Sequence, residues 1–196
     1  MTGLAVIEGV AHVFGDNVDT DVIIPARYLT ATEPAELAKH CMEDLDPSFV
    51  ARVRTGDVIV AGRNFGSGSS REHAPIAVRG AGVACVVAES LARIFYRNSI
   101  NVGLPVVECP GVVRGAEPGD RFRVDLDRGL VENVTRGSVF VATPLPDFMR
   151  EILEAGGLMP WVKRQLAAEG PARVAVPAAP ASVPASEPPQ ADWRLD

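Results

Sequence analysis

The alternation of apolar and polar positions divides the chain into short elements. A mostly apolar, β-branched stretch over residues 4–14, broken at Gly9, predicts an opening strand or hairpin. A turn at Asp16-Asn17 and the polar triplet Asp19-Thr20-Asp21 follow, and Val22-Ile23-Ile24 then predicts a short strand that Pro25 stops. Residues 33–44 predict a helix: Thr32 can cap it, Pro34 fits its first turn, and Leu37, Cys41 and Leu45 share a face, with His40 solvated. Residues 47–53 add a short helical piece. Strand patterns at 58–61, 83–88 and 104–107 then alternate with helical patterns at 73–79 and 90–98, the order that builds a parallel sheet with crossover helices. Residues 121–134 alternate about Asp127-Arg128-Gly129 and predict a hairpin, and 146–154 and 161–168 predict closing helices. The fold class is therefore α/β, with a central, mainly parallel sheet flanked by helices, plus a β-hairpin. A ligand should bind at the carboxyl ends of the parallel strands.

Composition narrows the picture. With 196 residues, 47% of them hydrophobic, the chain can bury one core, assigned here to residues 1–169. Residues 170–196 are Ala/Pro-rich with few large apolar side chains; they predict a disordered tail, and no function is assigned to them. A net charge of −6 without a basic cluster argues against a nucleic-acid surface. The amino terminus shows neither a basic leader nor a long apolar run, so a cytoplasmic protein with no membrane contact is expected. Cys41, Cys85 and Cys109 are widely spaced and form no Cys-x-x-Cys pair. They read as buried thiols, and any iron–sulfur cluster has to be held by another chain. Asp19, Thr20 and Asp21 supply too few oxygens for a hard cation and read as loop bracing, so no metal site is expected.

The richest chemistry lies in one run, Gly62-Arg63-Asn64-Phe65-Gly66-Ser67-Gly68-Ser69-Ser70-Arg71-Glu72-His73-Ala74-Pro75. Gly66 and Gly68 permit positive φ and close approach of a ligand, and Ser69 and Ser70 fall where a helix is expected to begin and unpaired amides converge. Arg71 adds a planar fork for a carboxylate. A small carboxylate or a phosphate fits this description. A nucleotide fits less well, because the Gly-Lys-[Ser/Thr] ending of a phosphate loop is missing, and a capped strand-to-helix turn without a ligand is the alternative.

The same run, together with Ala88-Glu89-Ser90-Leu91-Ala92-Arg93-Ile94-Phe95-Tyr96-Arg97-Asn98 and Gly15-Asp16-Asn17-Val18-Asp19-Thr20-Asp21-Val22-Ile23-Ile24-Pro25-Ala26-Arg27-Tyr28-Leu29, resembles the small subunits of 3-isopropylmalate dehydratase. These are free-standing swivel domains of the aconitase superfamily, and the likeness runs from about Val10 to Trp161. The resemblance implies a hydro-lyase subunit that isomerises a small 2-hydroxy dicarboxylate by removing and re-adding water, inactive without a large subunit that carries a [4Fe-4S] cluster, in a heterodimer or heterotetramer. It implies that Ser69 is the catalytic base, with Ser70 and Arg71 as carboxylate contacts. Gly66, Gly68, Glu72 and His73 belong to the same motif as supporting residues, the last two orienting Arg71 or capping the helix. The chain departs from the family's usual Gly-Cys-Gly-Ser-Ser in having Ser67, which removes a thiol near the site.

Substrate choice in this family is attributed to the loop after Tyr28-Leu29. Here Thr30, Ala31 and Thr32 bring no charge, which favours a branched alkyl group over a third carboxylate, since a buried carboxylate without a partner is costly. Arg27 is either a carboxylate contact or structural. The alternatives to isopropylmalate are a sister reaction on homoaconitate or dimethylmalate, and a non-catalytic carboxylate-binding module.

Overall fold

A computed structural model describes residues 6–169; the expected tail at 170–196 lies outside the described residues. Strands β1 (Ile7–Phe14), β2 (Val58–Ala61), β3 (Cys85–Ala88) and β4 (Val106–Glu108) run parallel in the order β4-β3-β2-β1. Every residue of β2 and β3 is buried, which is why both read as unbroken apolar runs: helices cover both faces of a parallel sheet. Helices α4 (His73–Gly80) and α5 (Arg93–Val102) make the crossovers from β2 to β3 and from β3 to β4.

β1 joins two kinds of sheet. Its second half pairs with β2, from Ala11 opposite Val58 to Phe14 opposite Ala61. Its first half pairs antiparallel with β5 (Arg121–Asp125), which continues through β6 (Leu130–Asn133) to β7 (Ser138–Val141) and gives seven strands in all. The expected hairpin is β5–β6, and β7 extends it by a strand that the pattern did not announce. Helices α6 (Asp147–Glu154) and α7 (Leu158–Glu169) close the chain, near where they were expected.

Two expectations from the pattern are corrected. The run Val22-Ile23-Ile24 is not a strand: Thr20–Ile23 forms a single helical turn, α1, because the Asp19 carboxylate accepts from the amides of Asp21 and Val22 at 2.8 and 3.0 Å. A local cap outweighs β-branched preference here. The helix expected over 33–44 stops early, as α2 (Pro34–Ala38), with Glu33 rather than Thr32 at its start. The Met42 amide instead donates to the Ile23 carbonyl at 2.8 Å, and Met42 takes φ 61°, so a tertiary hydrogen bond breaks the helical register. A last helical turn, α3 (Phe49–Arg52), puts Phe49 into the core against His12, with ring centroids 5.1 Å apart.

His12 is a buried polar residue on β1, and its Nε2 lies 2.9 Å from Asp57 Oδ2. Asp57 also accepts from the amides of Val10 and Arg54. Burial pushes the Asp57 carboxyl up, but the His12 ring and the two amides outweigh it and leave the group below its ordinary 3.8. The pair ties the turn before β2 to β1, and so fixes the register of the strands that lead to the site.

The expected outcome of Asp57→Asn is a loss of about 2 kcal/mol at neutral pH, the scale of a buried hydrogen bond to a charged group. Because the folded carboxyl titrates lower than the unfolded one, the stability it contributes is complete above about pH 3.8 and is lost as pH falls through the folded value. Melting curves of the wild type and Asp57→Asn should therefore converge in acid; a gap that persisted there would assign the loss to packing instead.

Candidate active site

The carboxyl ends of β1, β2 and β3 release three adjacent segments, 15–19, 62–72 and 89–92, and the glycine-rich run is the middle one. It is laid between its neighbours like a short extra strand. On one side the Gly66 amide donates to the Val18 carbonyl and the Thr20 amide to the Ser67 carbonyl, both at 2.7 Å, and Thr20 Oγ1 donates to the Ser69 carbonyl at 3.0 Å. On the other side the Phe65 amide donates to the Ser90 carbonyl at 3.1 Å and the Ala92 amide to the Phe65 carbonyl at 2.9 Å. The triplet at 19–21 thus braces the loop through Thr20, in keeping with its reading as loop bracing.

Phe65 is fully buried edge-on to Phe95 of α5, with centroids 5.3 Å apart. Burial of such a ring is worth about 3–5 kcal/mol against about 1 kcal/mol for each hydrogen bond, so Phe65 is the main anchor. Gly66 follows at φ 77°, and a Cβ there would fall 2.1 Å from Cγ of Phe95. Glycine is required at this position by both backbone and space.

The carbonyls of Phe65, Ser67 and Ser69 are spent on the neighbouring segments, whereas the later amides of the run are left over. Among the described residues, no amide from Gly68 to His73 donates to a protein acceptor. Ser69 and Ser70 are exposed beside these amides. Helix α4 begins at His73, as the pattern over 73–79 predicted, so the two serines precede the helix instead of lying at its start, and Glu72 occupies the capping position.

Arg71 is largely buried, with 15% of its side chain exposed. Its Nη1 is paired to Asp21 of α1 and lies 3.5 Å from the Ile24 carbonyl, which leaves Nε and Nη2 without an acceptor among the described residues. The guanidinium is therefore held by one edge and open at the other. The roles offered to Glu72 and His73 fall elsewhere: Glu72 makes no side-chain capping bond, and neither residue is in hydrogen-bond or ion-pair contact with Arg71. Asp21 does the orienting. The acidic triplet drew attention to Asp21, but nothing local in sequence could link it to a residue fifty positions on.

The segment expected to choose the substrate leaves from Ile24, the residue that touches Arg71. Its Ala26–Tyr28 stretch is a turn of 3-10 helix, followed by exposed Thr30, half-buried Ala31 and exposed Thr32. Arg27 is engaged by the protein itself, with Nη2 2.8 Å from Glu43 and 2.6 Å from Asp44. Tyr28 donates to Glu43 at 3.0 Å and stacks on His40 at 3.6 Å between centroids, so His40 is half-buried rather than solvated. Arg27, His40 and then Tyr28 pull the Glu43 carboxyl down to about 2.

The three cysteines are free and buried, Cys41 after α2 and Cys85 and Cys109 at opposite ends of the β3–β4 pair. Burial pushes all three thiols up, Cys109 to about 11 and the other two further. Scattered, protonated thiols do not fit an iron–sulfur cluster in this chain. Among the described residues no helix is long and apolar enough to cross a membrane.

Comparison with known proteins agrees with this geometry. Residues 45–110, which include the glycine-rich run, match the Aconitase C-terminal domain family. The 3-isopropylmalate dehydratase small subunit of Caldicellulosiruptor saccharolyticus is 60% identical over 161 residues, 82% of this chain and 93% of that protein. The isopropylmalate/citramalate isomerase small subunit of Methanocaldococcus jannaschii is 55% identical over 163 residues, 83% of this chain and 97% of that one. A crystal structure of 3-isopropylmalate dehydratase (leuD) from the same organism superposes with a TM-score of 0.80 at 45% identity, covering 84% of this chain and 98% of that chain. Identity at this level across four-fifths of the sequence, on the same fold, shows that the chain belongs to the 3-isopropylmalate dehydratase small-subunit family.

Proposed function

We propose that this chain is the proton-handling half of a split 3-isopropylmalate dehydratase that interconverts 2- and 3-isopropylmalate in leucine biosynthesis. The observation that carries the reading is an exposed Ser69 on a run of unpaired amides, beside an Arg71 fixed by Asp21 and open at its outer edge.

The reaction removes a proton from the carbon next to one carboxylate and hydroxide from the neighbouring carbon, leaving an alkene, and then returns water with the opposite regiochemistry. Arg71 and the free amides would hold a carboxylate, with Ser70 as a further contact. Ser69 would take the carbon-bound proton and give it back. A serine oxygen can serve as base only where its anion is stabilised, and the amides without acceptors beside a guanidinium would supply that stabilisation. The [4Fe-4S] cluster expected on a large subunit supplies the Lewis-acid chemistry for the departing hydroxide. Gly66 and Gly68 would let the substrate approach the backbone.

Thr30, Ala31 and Thr32 present no charge to the substrate's third substituent, in accord with an alkyl group and against the third carboxylate of homoaconitate. A second reading, with citramalate as substrate, is favoured by the name of the M. jannaschii relative. The proposed compartment is the cytoplasm, where a reducing environment keeps free thiols such as Cys41, Cys85 and Cys109 reduced.

Anaerobic mixing with the large subunit, followed through ultraviolet absorbance of the alkene intermediate, tests the reading. Turnover of 2-isopropylmalate is expected only in the mixture; silence with an intact cluster would overturn it. Ser69→Ala should lower kcat by three orders of magnitude or more with unchanged melting, and near-normal turnover would remove Ser69 from the role of base. Asp21→Asn loosens Arg71 without removing it. It should raise KM about tenfold with a smaller effect on kcat, and an unchanged KM would show that Arg71 needs no orienting partner.

A further inference from the structure

The α5 side of the glycine-rich run carries charges that folding alone disfavours. Arg93 is the first residue of α5, where the unpaired amides of a helix start make a cation unfavourable, and no side chain caps that end. Arg97 stands one turn on, on the same face, a like-charge pair at the spacing that weakens a helix. Both are exposed, and neither forms an ion pair or side-chain hydrogen bond with any described residue. Among the described residues most arginines are matched to carboxylates, including Arg27, Arg63, Arg71, Arg123 and Arg136. Arg93 and Arg97 form an unmatched ridge.

Two hollows flank the ridge. One, of about 570 Å³, extends from Arg93 and Arg97 past Ile94 to Gly66 and Gly68 of the run. The other, of about 490 Å³, lies between α5 and α6 and reaches Phe148 and Met149 from the same two arginines. Ile94 and Phe148 are 47% and 55% exposed. The carboxylate in the second lining, Glu108, accepts the Leu91 amide at 2.8 Å and is out of ion-pair contact with either guanidinium. The opposite flank of the run is charged but satisfied: Asp16 is held by Arg63, Asp19 caps α1, and Asp46 is paired with Arg52.

We propose that the Arg93–Arg97 ridge is the seat of the large, cluster-bearing subunit, which sets acidic side chains against the two arginines and apolar side chains into the hollows beside Ile94 and Phe148. The inference rests on the split-dehydratase reading. In that reading a second chain has to carry a Lewis acid to the glycine-rich run, and this ridge is joined to the run through a shared hollow. Partner carboxylates would also relieve the unfavourable cation at the helix start, so the charge pattern is strained in the free chain and satisfied in the complex.

Calorimetric titration of the anaerobic, cluster-loaded large subunit with wild type, Arg93→Glu/Arg97→Glu and Ser69→Ala tests this, with turnover measured alongside. The double reversal is expected to raise Kd at least tenfold while melting no lower than wild type, and Ser69→Ala to bind like wild type with turnover lost. If the reversed variant folds poorly, Arg93→Gln/Arg97→Gln replaces it, with an expected loss of three- to tenfold. A Kd within twofold of wild type in the folded double variant overturns the proposal. So does a dimer of the chain alone that the double variant dissolves, because the ridge would then seat a second copy. A wild-type chain that neither binds the large subunit nor turns over with it overturns the split-dehydratase reading itself.

Discussion

The site depends on where the backbone of residues 65–69 is held. Its carbonyls are consumed by the strand ends on either side, and Phe65 drives the segment into the core against Phe95. Beyond this anchored stretch the amides from Gly68 to His73 have no acceptor among the described residues, and the same segment carries two exposed hydroxyls and a guanidinium. A loop that is polar in composition thus becomes a set of donors preorganised by hydrophobic packing that begins three residues before them. Positive φ at Gly66, with no room for a Cβ, makes this arrangement specific to the sequence that carries it.

Charge is distributed to the same end. Arg71 is neutralised along one edge by Asp21, which fixes its plane without using all its donors. On the neighbouring segment Arg27, Tyr28, His40, Glu43 and Asp44 satisfy one another, so the loop through Thr30 is anchored without lending a charge to the pocket. The net negative charge of the chain therefore coexists with two unmatched cations at the glycine-rich run, Arg93 and Arg97, which line the hollow that reaches Gly66 and Gly68.

The parallel half of the fold was legible in the sequence because β2 and β3 are buried on both faces and so appear as unbroken apolar runs between glycine-marked turns. The glycine-rich run was legible for the same reason, as punctuation between a strand and a helix. Features that depend on distant partners were not. The Asp19 cap turns Val22 and Ile23 into a helix, a hydrogen bond from Met42 to Ile23 cuts α2 short, and the Asp21–Arg71 contact joins residues that no local pattern relates. β7 was missed because its alternation is shallow: Val139 and Val141 stay exposed at a sheet edge, where burial does not enforce a period. Arg27 carried a charge suited to a substrate, and only the fold shows that Glu43 and Asp44 already hold it.

β1 is shared between a parallel and an antiparallel half-sheet, with the changeover between Val10 and Ala11. The two halves therefore need not open together. Fraying of the β5–β7 meander and of the turn that enters it releases the pairings of residues 7–10 and the bonds of Ala11 to Gly119 and Asp120, whereas the segment from His12 to Phe14 that leads to the glycine-rich run stays clamped by β2 and by the His12–Asp57 pair. Amide hydrogen exchange should divide this one strand into a fast first half and a slow second half, which would make β1 a boundary between two cooperative units of different lifetime.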